Sequence, residues 1–296
     1  MTKTNILFII NPISGGRDKL KIPGIIDNNI DRTKFNANFR FTEYVGHATE
    51  IAEEAVTKGY DVLVAVGGDG TINEIGAVVM KHHKILGIIP FGSGNGLARF
   101  LRIPMGAAKA VQVINNLNVQ KIDTALFNNK SYFNIAGMGF DAHLSAVFAG
   151  NKRRGLSGYF KLGLKEMLNY QPKEYNITID GLLYIRKAFV VSIANSSQYG
   201  NNAHVSPHAS VTDGLLDVCV IKAFPLYKIP LLAYYMFSSH TDRTDLVEII
   251  KGREITISRE QDAAIHIDGE PLIMGKELKI SIVPLSLNII TPKYEA

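Results

Sequence analysis

The N-terminal part of the chain, to about residue 115, alternates short β-branched apolar runs with segments of helical periodicity. The predicted strands are NILFIINP, FNANFRFTE, DVLVAVGG and KILGIIPFG, and the predicted helices are Gly46–Lys58 and Thr71–Lys81. Such alternation is typical of βαβ units stacked around a parallel sheet, in which ligands bind beyond the carboxyl ends of the strands. The pattern therefore predicts an α/β domain whose functional loops are the glycine-bearing turns after its strands.

From about Asp123 the pattern changes to strand-like runs divided by Asn-Asn, Asp-Gly and Lys-Gly turns. Runs of this density predict a largely antiparallel β-domain, interrupted by two helical insertions at Leu156–Leu168 and Leu226–Ser238. We assign residues 1–122 to the first domain and 123–289 to the second. The last residues of the chain, 290–296, could return from the second domain to the first.

Composition narrows the class of protein. The chain has 296 residues, 46% apolar and 20% charged, which excludes a disordered or fibrous protein, and its net charge of +5 favours anionic partners. A single cysteine, Cys219, excludes an internal disulfide and a cysteine zinc site. The apolar runs at the N-terminus and at Ile229–Phe237 are too short for a signal peptide or a membrane span. We therefore expect a soluble, cytoplasmic protein.

Three predicted strands end in glycine turns: NPISGG, GGDGTINE and PFGSGNGLAR. Glycines let the backbone approach a phosphate, Asp69 is an oxygen ligand suited to a magnesium ion bridging phosphates, and Arg99 is available for a phosphate. We expect the three turns to converge on one nucleotide site. The alternative for NPISGG is an ordinary loop, and for GGDGTINE a turn in which Thr71 and Glu74 form a capping box; a capped helix start is also an anion site.

Other polar patterns have two interpretations each. In an extended strand Asp268 and Glu270 would face one side and act on one site, whereas the Asp-Gly pair also predicts a hairpin turn. Gly137–Ala142 matches a dinucleotide GxGxxA pattern, which we interpret as a tight turn lining the site. His204 and His208 are interpreted as loop histidines rather than zinc ligands.

The combination NPISGG, GHATE, GGDGTINE and PFGSGNGLAR, in this order, resembles the diacylglycerol kinase and sphingosine kinase family of lipid kinases, with bacterial members the most similar. NSSQYGNNAHVSPHASVTDGLLDV and IHIDGEP extend the resemblance over nearly the whole chain. It implies an N-terminal NAD kinase-like α/β domain and a C-terminal antiparallel β-sandwich-like domain. Gly96 departs from bacterial diacylglycerol kinases, which commonly have an acidic residue there, so the lipid acceptor stays open.

The resemblance also implies roles for individual residues. Asp268 would be the general base with Glu270 beside it, and Asp69 and Asp123 would complete the catalytic carboxylates. A structural magnesium would be held by the Asp213 carboxylate and the carbonyls of Ser210 and Leu215. The residues implied to contact ATP are Asn11, Pro12, Ile13, Ser14, Gly15, Thr42, Gly68, Asp69, Gly70, Thr71, Ile72, Asn73, Glu74 and Ser93.

The implied activity is ATP- and Mg²⁺-dependent transfer of a phosphoryl group to a lipid hydroxyl, as in phospholipid biosynthesis. The acceptor could be diacylglycerol, a sphingoid base or a related lipid. The alternatives are a NAD kinase-like enzyme acting on a soluble nucleotide and a non-catalytic nucleotide-binding regulator. We expect a lipid substrate at the inner membrane face and no nucleic-acid partner. Whether the protein forms a homodimer is left open.

Membrane contact has two candidate surfaces in the sequence. Lys152–Arg154, with Tyr159, Phe160, Lys161 and Lys165, could rest on an anionic membrane, although a solvated helix face is the commoner explanation. The apolar Leu226–Phe237 segment is interpreted as core or as the wall of an acyl-chain pocket.

Overall fold

The chain folds into two compact units. The computed structural model describes residues 3–16, 21–149, 163, 166, 167 and 169–293. One unit consists of Met1–Thr124 and Pro284–Ala296, and the other is Ala125–Val283. The first boundary, predicted after residue 122, lies after residue 124. The second, predicted before residue 290, lies before residue 284. The predicted helix Leu156–Leu168, apart from 163, 166 and 167, and the basic segment with its aromatic residues lie outside the described residues.

The N-terminal unit is built on a parallel sheet. Its strands are β1 (Thr4–Ile10), β2 (Phe35–Phe41), β3 (Val62–Gly67) and β4 (Ile85–Pro90), and the end of β15 (Glu277–Ile290) runs parallel to β4. The order is β2-β1-β3-β4-β15, and β5 (Val119–Phe127) pairs with β15. All six residues of β3 are buried, as expected for a parallel strand in a helix-covered sheet. The four predicted N-terminal strands are confirmed.

Among the described residues of this unit, five α-helices accompany the sheet: α1 (Ile22–Asp27), α2 (His47–Thr57), α3 (Asp69–Lys81), α4 (Gly96–Phe100) and α5 (Ala107–Asn116). Helices α2 and α3 confirm the two predicted helices. Helices α1 and α4 have six and five residues, too few to show periodicity. Helix α5 was also missed, although Ala110, Val111 and Ile114 are buried at helical spacing and carried the signal.

The C-terminal unit is mainly antiparallel. Its described elements are β6 (Lys130–Tyr132), β7 (Ile135–Gly139), α6 (Phe140–Ala149), β8 (Lys173–Ile179), β9 (Leu182–Ala194), β10 (Leu216–Lys222), α7 (Ile229–Phe237), β11 (Val247–Gly252), β12 (Glu254–Ser258), β13 (Ala263–Ile267) and β14 (Glu270–Met274). The sheet order is β14-β13-β7-β9-β8-β12-β15, and β10 pairs with β9 and β11. The long strand β9 joins these pairings because its first half pairs with β8 and its second half with β7 and β10. The predicted fold class is confirmed.

One sequence interpretation changes in this unit. Gly137–Ala142 is not a tight turn, since β7 runs to Gly139 and α6 begins at Phe140. The core alternative for Leu226–Phe237 holds for Leu232 of helix α7, which is buried in an apolar cluster with Phe140 and Phe189, whereas Leu231, Tyr234 and Phe237 are exposed. Within the described ranges, no helix combines the length and apolarity needed to cross a membrane.

Helix α2 begins without a side-chain cap of its own, because its N-cap is Gly46 in the left-handed region. The cap comes from helix α3: the Glu74 carboxylate accepts hydrogen bonds from the backbone N–H groups of Gly46 and Ala48, both at 3.1 Å. Acidic groups stabilise a helix N-terminus by satisfying these donors and by opposing the helix dipole. Glu74 therefore ties the two helices together.

We expect Glu74→Ala to lower the free energy of unfolding by about 1–3 kcal/mol, because two partly buried N–H donors lose a charged acceptor. Glu74→Gln keeps one acceptor oxygen and should lose less. Urea unfolding of both variants measures this against Glu43→Ala, which removes an exposed carboxylate near the same turn. Equal stability of Glu74→Ala and Glu43→Ala would contradict the capping role.

Candidate functional site

Three glycine loops meet at the carboxyl edge of the parallel sheet. A Cβ built on Gly15 would lie 1.9 Å from the carbonyl oxygen of Phe91, and one built on Gly92 would lie 2.6 Å from the Cα of Gly68. Gly15 also has φ of +63°, which favours glycine. Side chains at these positions would push the loops apart. The predicted convergence of the three turns is confirmed.

Polar side chains fix the loops against one another. The Asp69 carboxylate accepts hydrogen bonds from the N–H groups of Asn95 and Gly96, each at 2.9 Å, and so joins the loop after β3 to the loop after β4. The Asn95 Oδ1 accepts the N–H of Gly92 at 2.8 Å. Asn11 Nδ2 donates to Thr71 Oγ1 at 3.0 Å, which joins the loop after β1 to helix α3. The sequence pattern gave no sign of these contacts to Asp69.

The predicted capping box of Thr71 and Glu74 is wrong. Helix α3 begins at Asp69 with Gly68 as its N-cap, the Thr71 hydroxyl accepts from Asn11, and Glu74 caps helix α2 instead. The glycine turn therefore opens the helix two residues earlier than the pattern indicated. It leaves the N-terminus of a 13-residue helix at the point where the loops meet, where its dipole favours an anion.

The other N-terminal residues of the predicted nucleotide site occupy different environments. Thr42 follows β2, is buried, and donates its N–H to the Ile10 carbonyl at 2.9 Å. Ile13 and Ser93 are exposed on their loops. The remaining predicted ATP contacts in this unit are Pro12, Ser14, Gly70, Ile72 and Asn73, on the loop after β1 and the first turn of α3.

Asp123 is fully buried in the N-terminal unit. Its Oδ1 accepts the N–H of Leu285 at 2.7 Å, where the returning strand β15 adopts a positive φ of 47°. Carboxylate oxygens are the hard donors that Mg²⁺ prefers and can accept more than one partner, so Asp69 and Asp123 have the donor chemistry that this ion requires.

The extended-strand geometry predicted for Asp268 and Glu270 is wrong, and the hairpin alternative is confirmed. Asp268 and Gly269 have φ of 48° and 88° and form the two-residue turn between β13 and β14, in which Ile267 pairs with Glu270. An Asp-Gly pair adopts this turn readily because both residues tolerate positive φ. Asp268 is buried, whereas Glu270 is exposed.

The Asp268 carboxylate holds a neighbouring turn. Its oxygens accept the N–H groups of Phe133, Asn134 and Ile135 at 3.0, 2.9 and 3.2 Å. Burial, together with the charge of Asp268, raises the pKa of Tyr132 well above its usual value. The carboxylate is therefore rigidly placed by backbone donors.

The sequence analysis did not predict a contact between a buried histidine, His266, and Asp141. His266 Nε2 lies 3.0 Å from Asp141 Oδ2, and a Cβ on Gly137 would approach these two atoms to 2.6 and 2.5 Å. The first glycine of the GxGxxA pattern thus makes room for the pair. Gly139, at φ of 108°, lies against the Phe189 carbonyl. His204 contacts Ser197 and His208 pairs with Asp242, in agreement with loop histidines.

The carboxylate of the predicted structural metal site already has two partners in the protein. Asp213 Oδ1 accepts the Leu215 N–H at 3.1 Å, and Asp213 Oδ2 lies 2.9 Å from the Lys251 ammonium. Burial by itself lowers the pKa of Lys251. The hydrogen bond from Lys251 to Asp213 and the negative charges of Asp213 and Asp217 have a larger combined effect, so the pKa of Lys251 is raised. The Ser210 hydroxyl contacts Thr212. In the part of the chain that the structure describes, no group of three His, Cys, Asp or Glu residues could hold a metal.

Two family models match the chain. The diacylglycerol kinase catalytic domain matches residues 5–127, and the YegS C-terminal NAD kinase beta sandwich-like domain matches residues 134–291. These ranges include the three glycine loops and the hairpin of Asp268. Each half of the chain is thus matched by its own family model.

Individual proteins agree with the family models. The chain is 26% identical over 295 residues to a diacylglycerol kinase of Bacillus subtilis, covering 97% of this chain and 96% of that protein. It is 31% identical over 262 residues to a protein of Citrobacter koseri named probable lipid kinase YegS-like, covering 86% and 85%. A crystal structure of a diacylglycerol kinase from Bacillus anthracis shares the fold, with a TM-score of 0.76, 21% identity and coverage of 99% and 98%. The chain therefore belongs to the diacylglycerol kinase family of lipid kinases.

Proposed function

We propose that this protein is an ATP- and Mg²⁺-dependent kinase that transfers the γ-phosphoryl group of ATP to a hydroxyl of a membrane lipid. The observation that carries the proposal is the meeting of three glycine loops at the start of helix α3, within a kinase catalytic domain. Tightly packed glycine backbone beside a helix N-terminus suits a triphosphate because it admits close approach and favours negative charge.

The N-terminal residues bind and orient the nucleotide in this proposal. Gly15, Gly68 and Gly92 keep the loops close, and Asp69 fixes the loop that carries Ser93. Asp69 and Asp123 would hold the Mg²⁺ that accompanies ATP, and this ion would offset phosphate charge. Positioning and charge neutralisation are the main contributions that a protein makes to phosphoryl transfer.

The chemical step that we propose uses Asp268 as general base. The lipid oxygen forms a bond to the γ-phosphorus, the bond from this phosphorus to the β–γ bridging oxygen breaks, and ADP leaves. The hydroxyl proton passes to a carboxylate oxygen of Asp268. We assign the orientation of this carboxylate to the N–H groups of 133–135, and Glu270 adds negative charge on the same hairpin.

A membrane surface is the proposed source of the acceptor, and helix α7 is the proposed contact. Tyr227, Leu231, Tyr234 and Phe237 follow one another at intervals of four, three and three residues, and all are exposed. Residues 218–241 contain no acidic residue. An apolar, aromatic stripe beside lysines suits the interface of an anionic bilayer.

A kinase assay with ATP labelled on the γ-phosphate tests the proposed activity. The protein is incubated with mixed-lipid vesicles or with NAD in the absence of lipid. We expect label in the lipid extract and in no soluble acceptor. Label transferred to NAD would favour the NAD kinase-like alternative, and ATP binding without transfer would favour a regulator.

For the general base, Asp268→Ala should lower turnover by roughly 10²–10⁴-fold while ATP binding persists. Asp180→Ala is the matched control, because Asp180 also precedes a turn glycine and accepts backbone N–H groups, those of Arg253 and Glu254. It should lose stability but little activity. Near-normal turnover of Asp268→Ala would remove Asp268 from this role.

For membrane contact, a variant carrying Tyr234→Ser and Phe237→Ser should bind phosphatidylglycerol-containing vesicles roughly tenfold more weakly, because two exposed apolar side chains are lost. Activity on a water-soluble short-chain lipid should persist. Leu183→Ser with Ile185→Ser removes side chains of similar exposure from β9 and serves as the control. Vesicle co-sedimentation measures binding, and unchanged binding of the α7 variant would exclude this surface.

A further inference from the structure

A lysine ammonium lies beside the carboxylate to which family resemblance assigns a structural metal ion. Strands β10 and β11 pair antiparallel with Asp217 directly opposite Lys251. The lysine side chain reaches from this pair to the loop before β10, where its Nζ lies 2.9 Å from Asp213 Oδ2 and 3.4 Å from Asp217 Oδ1. One cation thus contacts two carboxylates of the same segment.

Burial makes a positive charge necessary at this point. The Asp217 side chain is only 3% exposed, and its other oxygen accepts the hydroxyl hydrogen of Ser206 at 2.5 Å. A buried carboxylate is costly unless it is both paired and hydrogen-bonded. Lys251, which is 40% exposed, supplies the charge while the end of its side chain still meets solvent.

A magnesium ion on Asp213 would compete with this lysine. Magnesium binds carboxylate oxygens at about 2.0–2.1 Å, which would bring a dication close to an ammonium on the same carboxylate. The second oxygen of Asp213 already accepts the Leu215 N–H and shapes the turn at Gly214, whose φ is 67°. Repulsion between the two cations therefore opposes joint occupancy.

We propose that the Lys251 ammonium takes the place of the structural metal ion, so that the 210–217 segment is held by an internal cation and folds without divalent metal. The acidic DGLLD motif is present, but β11 contributes a cation opposite it. Metal dependence at this segment is then decided by residue 251 and not by the motif alone.

The first test uses the wild-type protein without nucleotide. We expect the same Tm in EDTA and in MgCl₂ at matched ionic strength, and no Asp213-dependent magnesium in equilibrium dialysis. A magnesium-induced rise in Tm that disappears in Asp213→Asn would overturn the proposal. This comparison does not depend on any lysine variant folding.

The second test removes the cation. Lys251→Met should lower Tm by roughly 2–5 °C in EDTA and regain part of the loss in MgCl₂, because two carboxylates are then uncompensated. Lys251→Arg should stay indifferent to magnesium. Lys279→Met, an exposed lysine on β15, is the matched control. A Lys251→Met variant as stable in EDTA as Lys279→Met would contradict the role assigned to Lys251.

Discussion

The arrangement of the candidate nucleotide site depends on one charged contact, the Asp69 carboxylate with the N–H groups of Asn95 and Gly96. Hydrogen bonds to a charged group contribute about 1.5–3 kcal/mol each, more than neutral ones. This contact crosses between the loops after two adjacent strands, and it holds Gly92 and Gly68 at a distance that only glycine allows. The glycines permit the approach, and the carboxylate maintains it.

The same device recurs through the chain. Asp123, Asp180 and Asp268 each accept at least one backbone N–H from a distant segment and so satisfy donors far away in the sequence. Carboxylates that a motif marks as catalytic are therefore structural as well. Loss of activity on substitution of Asp123 or Asp268 would therefore include a loss of stability, which is why Asp180, a turn aspartate outside the motifs, is needed as a control.

Periodicity and glycine turns were sufficient to predict the α/β unit, its first four strands, the antiparallel second unit and the convergence of the glycine loops. The geometry at Asp268 and Glu270 was predicted wrongly because extended periodicity and an Asp-Gly turn compete for the same residues, and positive φ decided for the turn. The hydrogen-bond partners of Asp69 depend on the separation of two loops, which no local pattern encodes.

Contacts between residues that are far apart in the sequence could not be predicted for the same reason. Asp141 and His266 are 125 residues apart, and only the pairing of β7 with β13 brings them together. Lys251 meets Asp217 through the register of β10 and β11. Helix α7 was predicted from its apolar composition, but that composition suits either a core or an exposed surface and does not reveal that only Leu232 of this helix is buried.

Amide hydrogen exchange of the protein with and without ATP and Mg²⁺ tests the shared phosphate site most directly. One ligand bound by all three loops should slow exchange in residues 11–16, 67–71 and 91–96 together, with the same dependence on ATP concentration. Protection confined to one of these loops, or absent from all three at saturating ATP, would contradict a common triphosphate site.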